Sequence, residues 1–179
     1  PASVKPTASP SMDIQVASNF ERLLFEAKNR DANALRHVME DFAAKKGMKI
    51  DEETLIAIRE DFVSDAVSME ETLAEIARHY KETGELIDPH TAVGRAAAMR
   101  LRQMGALDGK IVTLSTAHPA KFPEAVEEAT GKSPALPASY ADLFDRPEEM
   151  ERAPADPQEV KALIRGAFEP RTLVSVEGL

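Results

Sequence analysis

The stretch Ile111-Val112-Thr113-Leu114-Ser115-Thr116-Ala117-His118-Pro119 decides how this chain is read. Ile111 to Leu114 is a short β-favouring run after an Asp108-Gly109 turn, and it predicts a buried strand. The strand ends in two hydroxyls, a small residue, a histidine and a proline. In open α/β sheets, ligands sit beyond the carboxyl ends of strands. Ser115 and Thr116 would then stand where a hydroxyl can meet a ring nitrogen or a phosphate. The same residues also suit a strand-to-helix turn in which hydroxyls cap backbone groups, and residue chemistry alone leaves both readings open.

Toward the C-terminus, a short helix is expected from Pro123 to Ala129, ending at Gly131. Residues 132–156 are rich in proline and charge and read as irregular, with one helical turn near Tyr140 to Phe144. Asp156-Pro157 opens a last helix, with Val160, Leu163, Ile164 and Ala167 expected inward. Toward the N-terminus, Asp88-Pro89 opens another helix with proline at its tolerated first position. Val93, Ala96, Ala97 and Met104 are expected to face inward, and Gly105 to mark the end. Residues 88–130 thus read helix, strand, helix, the rhythm of an α/β sheet.

Residues 31–84 read as a compact helical unit. Asp31 caps a helix with Leu35, Val38, Met39 and Phe42 on one face, and Gly47 is expected at its end. A shorter helix follows Asp51, with Leu55, Ile58 and Phe62 on one side. Ser68 and Glu71 have the capping-box spacing, and Leu73, Ile76, Ala77 and Tyr80 carry that helix to Gly84. Before this unit, residues 1–13 read as an extended arm or linker and Ile14 to Ala17 as a short strand. Ser18 or Asn19 then caps a helix through Phe20, Leu23, Leu24 and Ala27. One strong strand cannot make a sheet, so the α/β part is expected to be a portion of a larger fold.

Composition narrows the function. The 179 residues are 43% hydrophobic with no Trp, so aliphatic side chains and Ala must build the core. A net charge of −9 argues against a nucleic-acid partner, because phosphate backbones need clustered Lys and Arg. The lack of Cys excludes disulfides, thiolate zinc sites and a Cys nucleophile. No apolar run approaches the ~20 residues that span a bilayer. Of the four histidines, His37 and His79 are expected in solvent, His90 beside Asp88 at a helix start, and His118 after the strand. No two have metal-site spacing, so no metal is expected. The acidic runs Asp51-Glu52-Glu53 and Glu70-Glu71 are expected to complement helix N-termini, and Arg95, Arg100 and Arg102 to line a solvated helix face.

Four blocks, in order, resemble the threonine synthases of the bacterial and fungal type. They are Pro10-Ser11-Met12-Asp13-Ile14, Ser18-Asn19-Phe20-Glu21-Arg22-Leu23-Leu24-Phe25, Asp88-Pro89-His90-Thr91-Ala92, and Ser115 through Phe122 running into Pro123-Glu124-Ala125-Val126. The resemblance covers about residues 10 to 170 and is weakest in 31–66 and 138–160. It implies a helix-rich α/β fold, the C-terminal part of a fold type II pyridoxal-phosphate enzyme. Residues 14–179 would form the C-terminal part of its large cofactor domain, with a helical insertion at about 31–84.

The implied activity is the lyase reaction of cytoplasmic threonine biosynthesis, O-phospho-L-homoserine and water to L-threonine and phosphate. Pyridoxal phosphate would serve as electron sink. The family's Schiff-base lysine lies in a Phe-Lys-Asp motif of the N-terminal half. That motif and the family's Gly-rich cofactor-phosphate loop do not occur here, so no catalytic residue is assigned within this chain. The N-terminal half of the enzyme is the implied partner. Thr116, with Ser115 beside it, is the implied ligand of the pyridine nitrogen. Asn19, Arg22, Asp88, His90, His118 and Lys121 are the implied substrate or cavity residues. Two alternatives stand beside this reading: a catalytically inactive stand-alone helical module derived from the family, and another type II pyridoxal-phosphate lyase.

Overall fold

The computed structural model describes residues 4–168. The chain divides into two compact units, Pro1–Leu136 and Pro137–Leu179. The described part of the first contains the helices α1 (Phe20–Ala27), α2 (Ala32–Lys45), α3 (Glu52–Asp61), α4 (Met69–Thr83), α5 (Pro89–Gln103) and α6 (Pro123–Thr130). α4 packs against α5 and α6, and α1 packs against α2 and α3. The buried apolar positions among the described residues are Leu24 on α1, Ile76 on α4, Ala92 and Leu101 on α5, and Val126 on α6.

Local chemistry sets the helix starts where the sequence placed them. The Asp31 carboxylate accepts the Asn33 and Ala34 amides, and Asp51 accepts the Thr54 amide. Ser68 and Glu71 form a reciprocal capping box on α4. Each satisfies amides that the first helical turn leaves without a partner. Gly84 and Gly131 take the left-handed cap positions with φ of 77° and 67°. At the end of α2, that conformation falls on Lys46 (φ 55°) instead of the expected Gly47, because the last helical hydrogen bond runs from the Lys46 amide to the Phe42 carbonyl. Phe62 and Met104, expected inward, are exposed. Each is the residue just past its helix, where helical spacing no longer sets direction.

Two expectations fail for want of a partner. Ile111 to Leu114 and Ile14 to Ala17 are not strands, and no strand occurs among the described residues. A strand's backbone groups need a neighbouring strand, and none is present among the described residues to pair with Ile111 to Leu114. Val112 and Leu114 are consequently 84% and 74% exposed. The segment instead approaches α5, where a Cβ built on Gly94 would lie 3.6 Å from Thr113 Cγ2. In the second unit, 3-10 turns at Ala138–Tyr140 and Leu143–Asp145 precede α7 (Pro157–Phe168). Val160, Leu163 and Ile164 are exposed on α7 rather than inward. It is the only α-helix among the unit's described residues and has no second helix there to cover its apolar side.

The arginines expected on a solvated face are tied down. Glu75 on α4 is 7% exposed and is met by Arg78 Nη2 at 2.7 Å and by Arg95 Nε, from α5, at 2.7 Å. A buried carboxylate is tolerable only with such partners. Hydrogen bonding to Glu75 raises the Arg78 pKa further above its already high value. Arg100 reaches Asp65 at 3.2 Å and Glu71 at 2.9 Å, holding the segment before α4, while Arg102 donates to the Gly109 carbonyl. His79, expected in solvent, is half-buried, with Nδ1 enclosed and without a partner among the described residues.

The acidic caps predict a pH response. Asp51 is held well below its ordinary 3.8, chiefly by the hydrogen bond from Lys28 Nζ (2.7 Å) and then by the Thr54 amide. Glu71 is held below 4.5, chiefly by the Ser68 amide, and Asp31 below 3.8 by the Ala34 and Asn33 amides. For a carboxylate whose folded pKa is depressed, the stabilisation is present above the unfolded pKa and is lost as pH falls through the folded one. The urea midpoint should therefore be unchanged between about pH 7 and pH 5 and fall below about pH 4. Asp51→Asn should flatten part of that acid limb, and an identical limb in that variant would count against the assignment.

Candidate functional site at the start of α5

Asp88 is the N-cap of α5 and is fully buried. Its Oδ1 accepts the His90 amide (2.9 Å) and lies 2.9 Å from His90 Nδ1. Its Oδ2 accepts the Thr91 amide (3.3 Å) and the Thr91 hydroxyl. The sequence dictates this arrangement locally. Asp is a strong N-cap, Pro89 presets the first helical turn, and the next two residues carry the amides the cap must satisfy.

From this local knot, two longer connections extend. The Ser11 amide donates to His90 Nε2 at 3.2 Å, which leaves Nδ1 to carry the proton facing Asp88. Ser11 lies in the 3-10 turn Pro10–Met12. That turn is closed by Asp13, which accepts the Thr7 amide (2.7 Å) and hydroxyl (2.8 Å). On the other side, the Thr116 amide donates to the Thr91 hydroxyl at 3.3 Å. The His90 ring also meets the Phe122 ring, with centroids 4.7 Å apart. Three of the four blocks, around Ser11, Asp88 and Thr116, therefore converge on one buried carboxylate.

Next to it runs an open groove of about 690 Å³ whose walls include Met12, Val63, His90, Val93, Leu114 and Thr116. The Ser115 and Thr116 side chains are exposed, and neither hydroxyl has a partner among the described residues. His118 caps the turn Pro119–Lys121, its Nδ1 accepting the Ala120 amide at 3.2 Å. It does not hydrogen-bond to His90. Lys121 is exposed, with Nζ 5.9 Å from the Phe122 ring centroid, at cation–π range.

Asn19 and Arg22 belong to a different place. Asn19 precedes α1 without a side-chain capping bond. Arg22 lines a separate groove of about 470 Å³ with Ser18, Glu21, Phe25 and Leu35, and has no ion pair among the described residues. Nothing among the described residues links either side chain to the Asp88 network. Ser11 and Thr91 are structural members of that network to which sequence reading assigned no role. The three-residue spacing of Asp88 and Thr91 was the available signal for one of them.

Residues 91–164 match the family described as threonine synthase, C-terminal. The chain is 46% identical over 160 residues to a threonine synthase of Pseudomonas aeruginosa, covering 89% of this chain and 34% of that protein. Among solved structures it superposes on a threonine synthase from Brucella melitensis with pyridoxal phosphate bound, at a TM-score of 0.78 and 41% identity, over 93% of this chain and 35% of that one. A yeast threonine synthase gives a TM-score of 0.75 at 32% identity, over 92% and 37%. The chain spans about a third of the length of these relatives. Likeness at these identities carries the fold as well, so the helix-rich chain is a C-terminal piece of the pyridoxal-phosphate enzyme architecture those proteins share. In sequence and in fold, the chain belongs to the threonine synthase family and corresponds to a C-terminal portion of it.

Proposed function

We propose that this chain supplies the ring-nitrogen side of the cofactor cavity in a cytoplasmic threonine synthase, which converts O-phospho-L-homoserine and water to L-threonine and phosphate. The observation that carries the reading is the Thr116 hydroxyl, without a partner among the described residues, on a residue of the groove wall, with Ser115 next to it in sequence and the Thr116 backbone tied to the buried Asp88 through Thr91.

The residues fit pyridoxal phosphate in part. A hydroxyl suits a weakly protonated ring nitrogen, and a largely apolar groove suits the face of a ring. The lysine and the phosphate cradle belong to the N-terminal half of the enzyme, the partner of this chain in the proposal. Residues 14–179 act as the C-terminal part of the large cofactor domain, with about 31–84 as a helical insertion.

When bound, pyridoxal phosphate supplies the electron sink for proton loss at Cα and Cβ and for departure of phosphate from Cγ. This chain's own residues hold and orient. Thr116 Oγ1, or Ser115 Oγ beside it, donates to or accepts from the ring nitrogen. Asp88 and His90 fix the wall on which that hydroxyl stands. Arg22 and Lys121, cations without ion pairs among the described residues, are candidate contacts for the substrate's phosphate or carboxylate, with Asn19 beside Arg22. His118 shapes the turn that carries Lys121. No helix among the described residues is long and apolar enough to cross a membrane.

The test uses the full-length enzyme. Thr116→Val removes one hydroxyl at nearly constant volume and should weaken cofactor affinity by about two- to tenfold, the worth of one neutral hydrogen bond. It should shift the bound cofactor's absorbance and lower turnover of phosphohomoserine, while Ser115→Ala is milder. The reverse ranking would assign the ring nitrogen to Ser115. If neither variant changes absorbance, affinity or turnover, the segment is a structural turn and the proposal fails.

A further inference from the structure

Within the Asp88 knot, the Thr91 hydroxyl joins the start of α5 to the segment that carries Thr116. Thr91 Oγ1 donates to the fully buried Asp88 Oδ2 and accepts the amide of Thr116 at 3.3 Å, across 25 positions of sequence. Asp88 cannot turn away to another partner, because its remaining lone pairs already serve the His90 amide, His90 Nδ1 and the Thr91 amide. The Thr91 hydroxyl is therefore fixed in direction, with its proton toward Asp88 and a lone pair toward Thr116.

Thr116 itself has few other anchors. Its side chain is exposed, Leu114 beside it is 74% exposed, and the segment has no strand partner among the described residues. The segment also passes α5 at Gly94, where a Cβ built on the glycine would lie 3.6 Å from Thr113 Cγ2. Apolar proximity of this kind does not orient an amide, whereas a hydrogen bond does. We propose that Thr91 is a positioning residue for the cofactor site: its hydroxyl, held by Asp88, orients the Thr116 backbone and so aims the Thr116 hydroxyl at the ring nitrogen. This rests on the proposed role of Thr116, and Thr91 acts through Thr116 without touching the cofactor.

The distinguishing property is coupling. If Thr91 serves only to hold Thr116 Oγ1 in place, deleting the Thr91 hydroxyl matters to the cofactor only while that oxygen exists. In the full-length holoenzyme, Thr91→Val should weaken pyridoxal-phosphate affinity by about two- to tenfold. It should also move the bound cofactor's absorbance in the same direction as Thr116→Val. Thr91→Ser, which keeps the hydroxyl, should restore both. The double variant Thr91→Val/Thr116→Val should bind cofactor no more weakly than Thr116→Val alone, the non-additivity expected of two groups in one chain of contacts.

Urea midpoints measured on every variant confine the comparison to folded protein, and Thr91→Ala takes the place of the valine variant if that does not fold. Affinity losses that multiply in the double variant would make Thr91 an independent structural residue and overturn the inference. So would normal affinity and absorbance in Thr91→Val alongside losses in Thr116→Val, an outcome that leaves the proposed function standing. Normal affinity and absorbance in Thr116→Val would remove the proposed role of Thr116 and this inference with it.

Discussion

Replacing Asp88 by alanine should cost this chain about 3 kcal/mol or more in unfolding free energy, well above the ~1 kcal/mol of an ordinary lost helix cap. Two separate losses combine. The amides of His90 and Thr91 lose the side chain that caps them, which is the ordinary part. The His90 ring and the Thr91 hydroxyl, both on buried residues, also lose the acceptor they face. Stranding a buried donor costs about 1–3 kcal/mol each, and each hydrogen bond to a charged acceptor is worth about 1.5–3. Relaxation around the truncated site recovers part of this, so the net loss is smaller than the sum of the parts.

The control is Asp31→Ala. Asp31 caps α2 through the Asn33 and Ala34 amides at 2.9 and 3.0 Å but is exposed, so its loss should stay near ~1 kcal/mol. Asp88→Asn should fall between. Asn is a good N-cap, but it supplies one acceptor oxygen where the carboxylate supplied two, and its NH₂ would then face donors. Urea unfolding at neutral pH measures all three. Equal losses for Asp88→Ala and Asp31→Ala would mean that Asp88 is only a cap and that the network beyond it contributes nothing.

Ile76→Ala should be comparably severe, at about 2–5 kcal/mol. Ile76 is fully buried on α4, the helix that packs against both α5 and α6, and its helix neighbours Thr72 and Glu75 are buried too. Truncation removes three carbons from the core and leaves a cavity that three helices must close.

Leu114→Ala provides the contrast. Leu114 is 74% exposed, so in this chain alone its truncation should lie within about 0.5 kcal/mol of zero. In the full-length enzyme, if strands of the larger fold expected from the sequence cover this segment, the same truncation should cost about 2 kcal/mol or more. A large loss in the isolated chain would show that Leu114 is already packed. A negligible loss in both would show that nothing covers it.

The helix starts could be read directly because the interactions that create them span only a few residues. Asp31, Asp51, Ser68 and Asp88 each satisfy amides two or three positions ahead, and Gly84 and Gly131 stand one residue past a helix end. No distant residue is needed to close those bonds. The Asp88–His90 contact is of the same kind, two residues apart, and His90 stands in the wall of the groove.

Bonds that close over long separations were decided only in three dimensions. Ser11 reaches His90 across 79 positions, Thr116 reaches Thr91 across 25, and Arg100 reaches Glu71 across 29. Arg95 looked like a surface residue because nothing in its own helix announces Glu75 on α4 as its partner. For Ile111 to Leu114 the limit lay elsewhere. Its residues favour a strand, yet a strand exists only where a second one accepts its hydrogen bonds, and the described part of this chain contains none. Side-chain preference by itself therefore established an apolar extended segment with two hydroxyls at its end. Tertiary contacts determined that the segment lies near α5, with Thr91 aimed at its last amide and Leu114 in solvent.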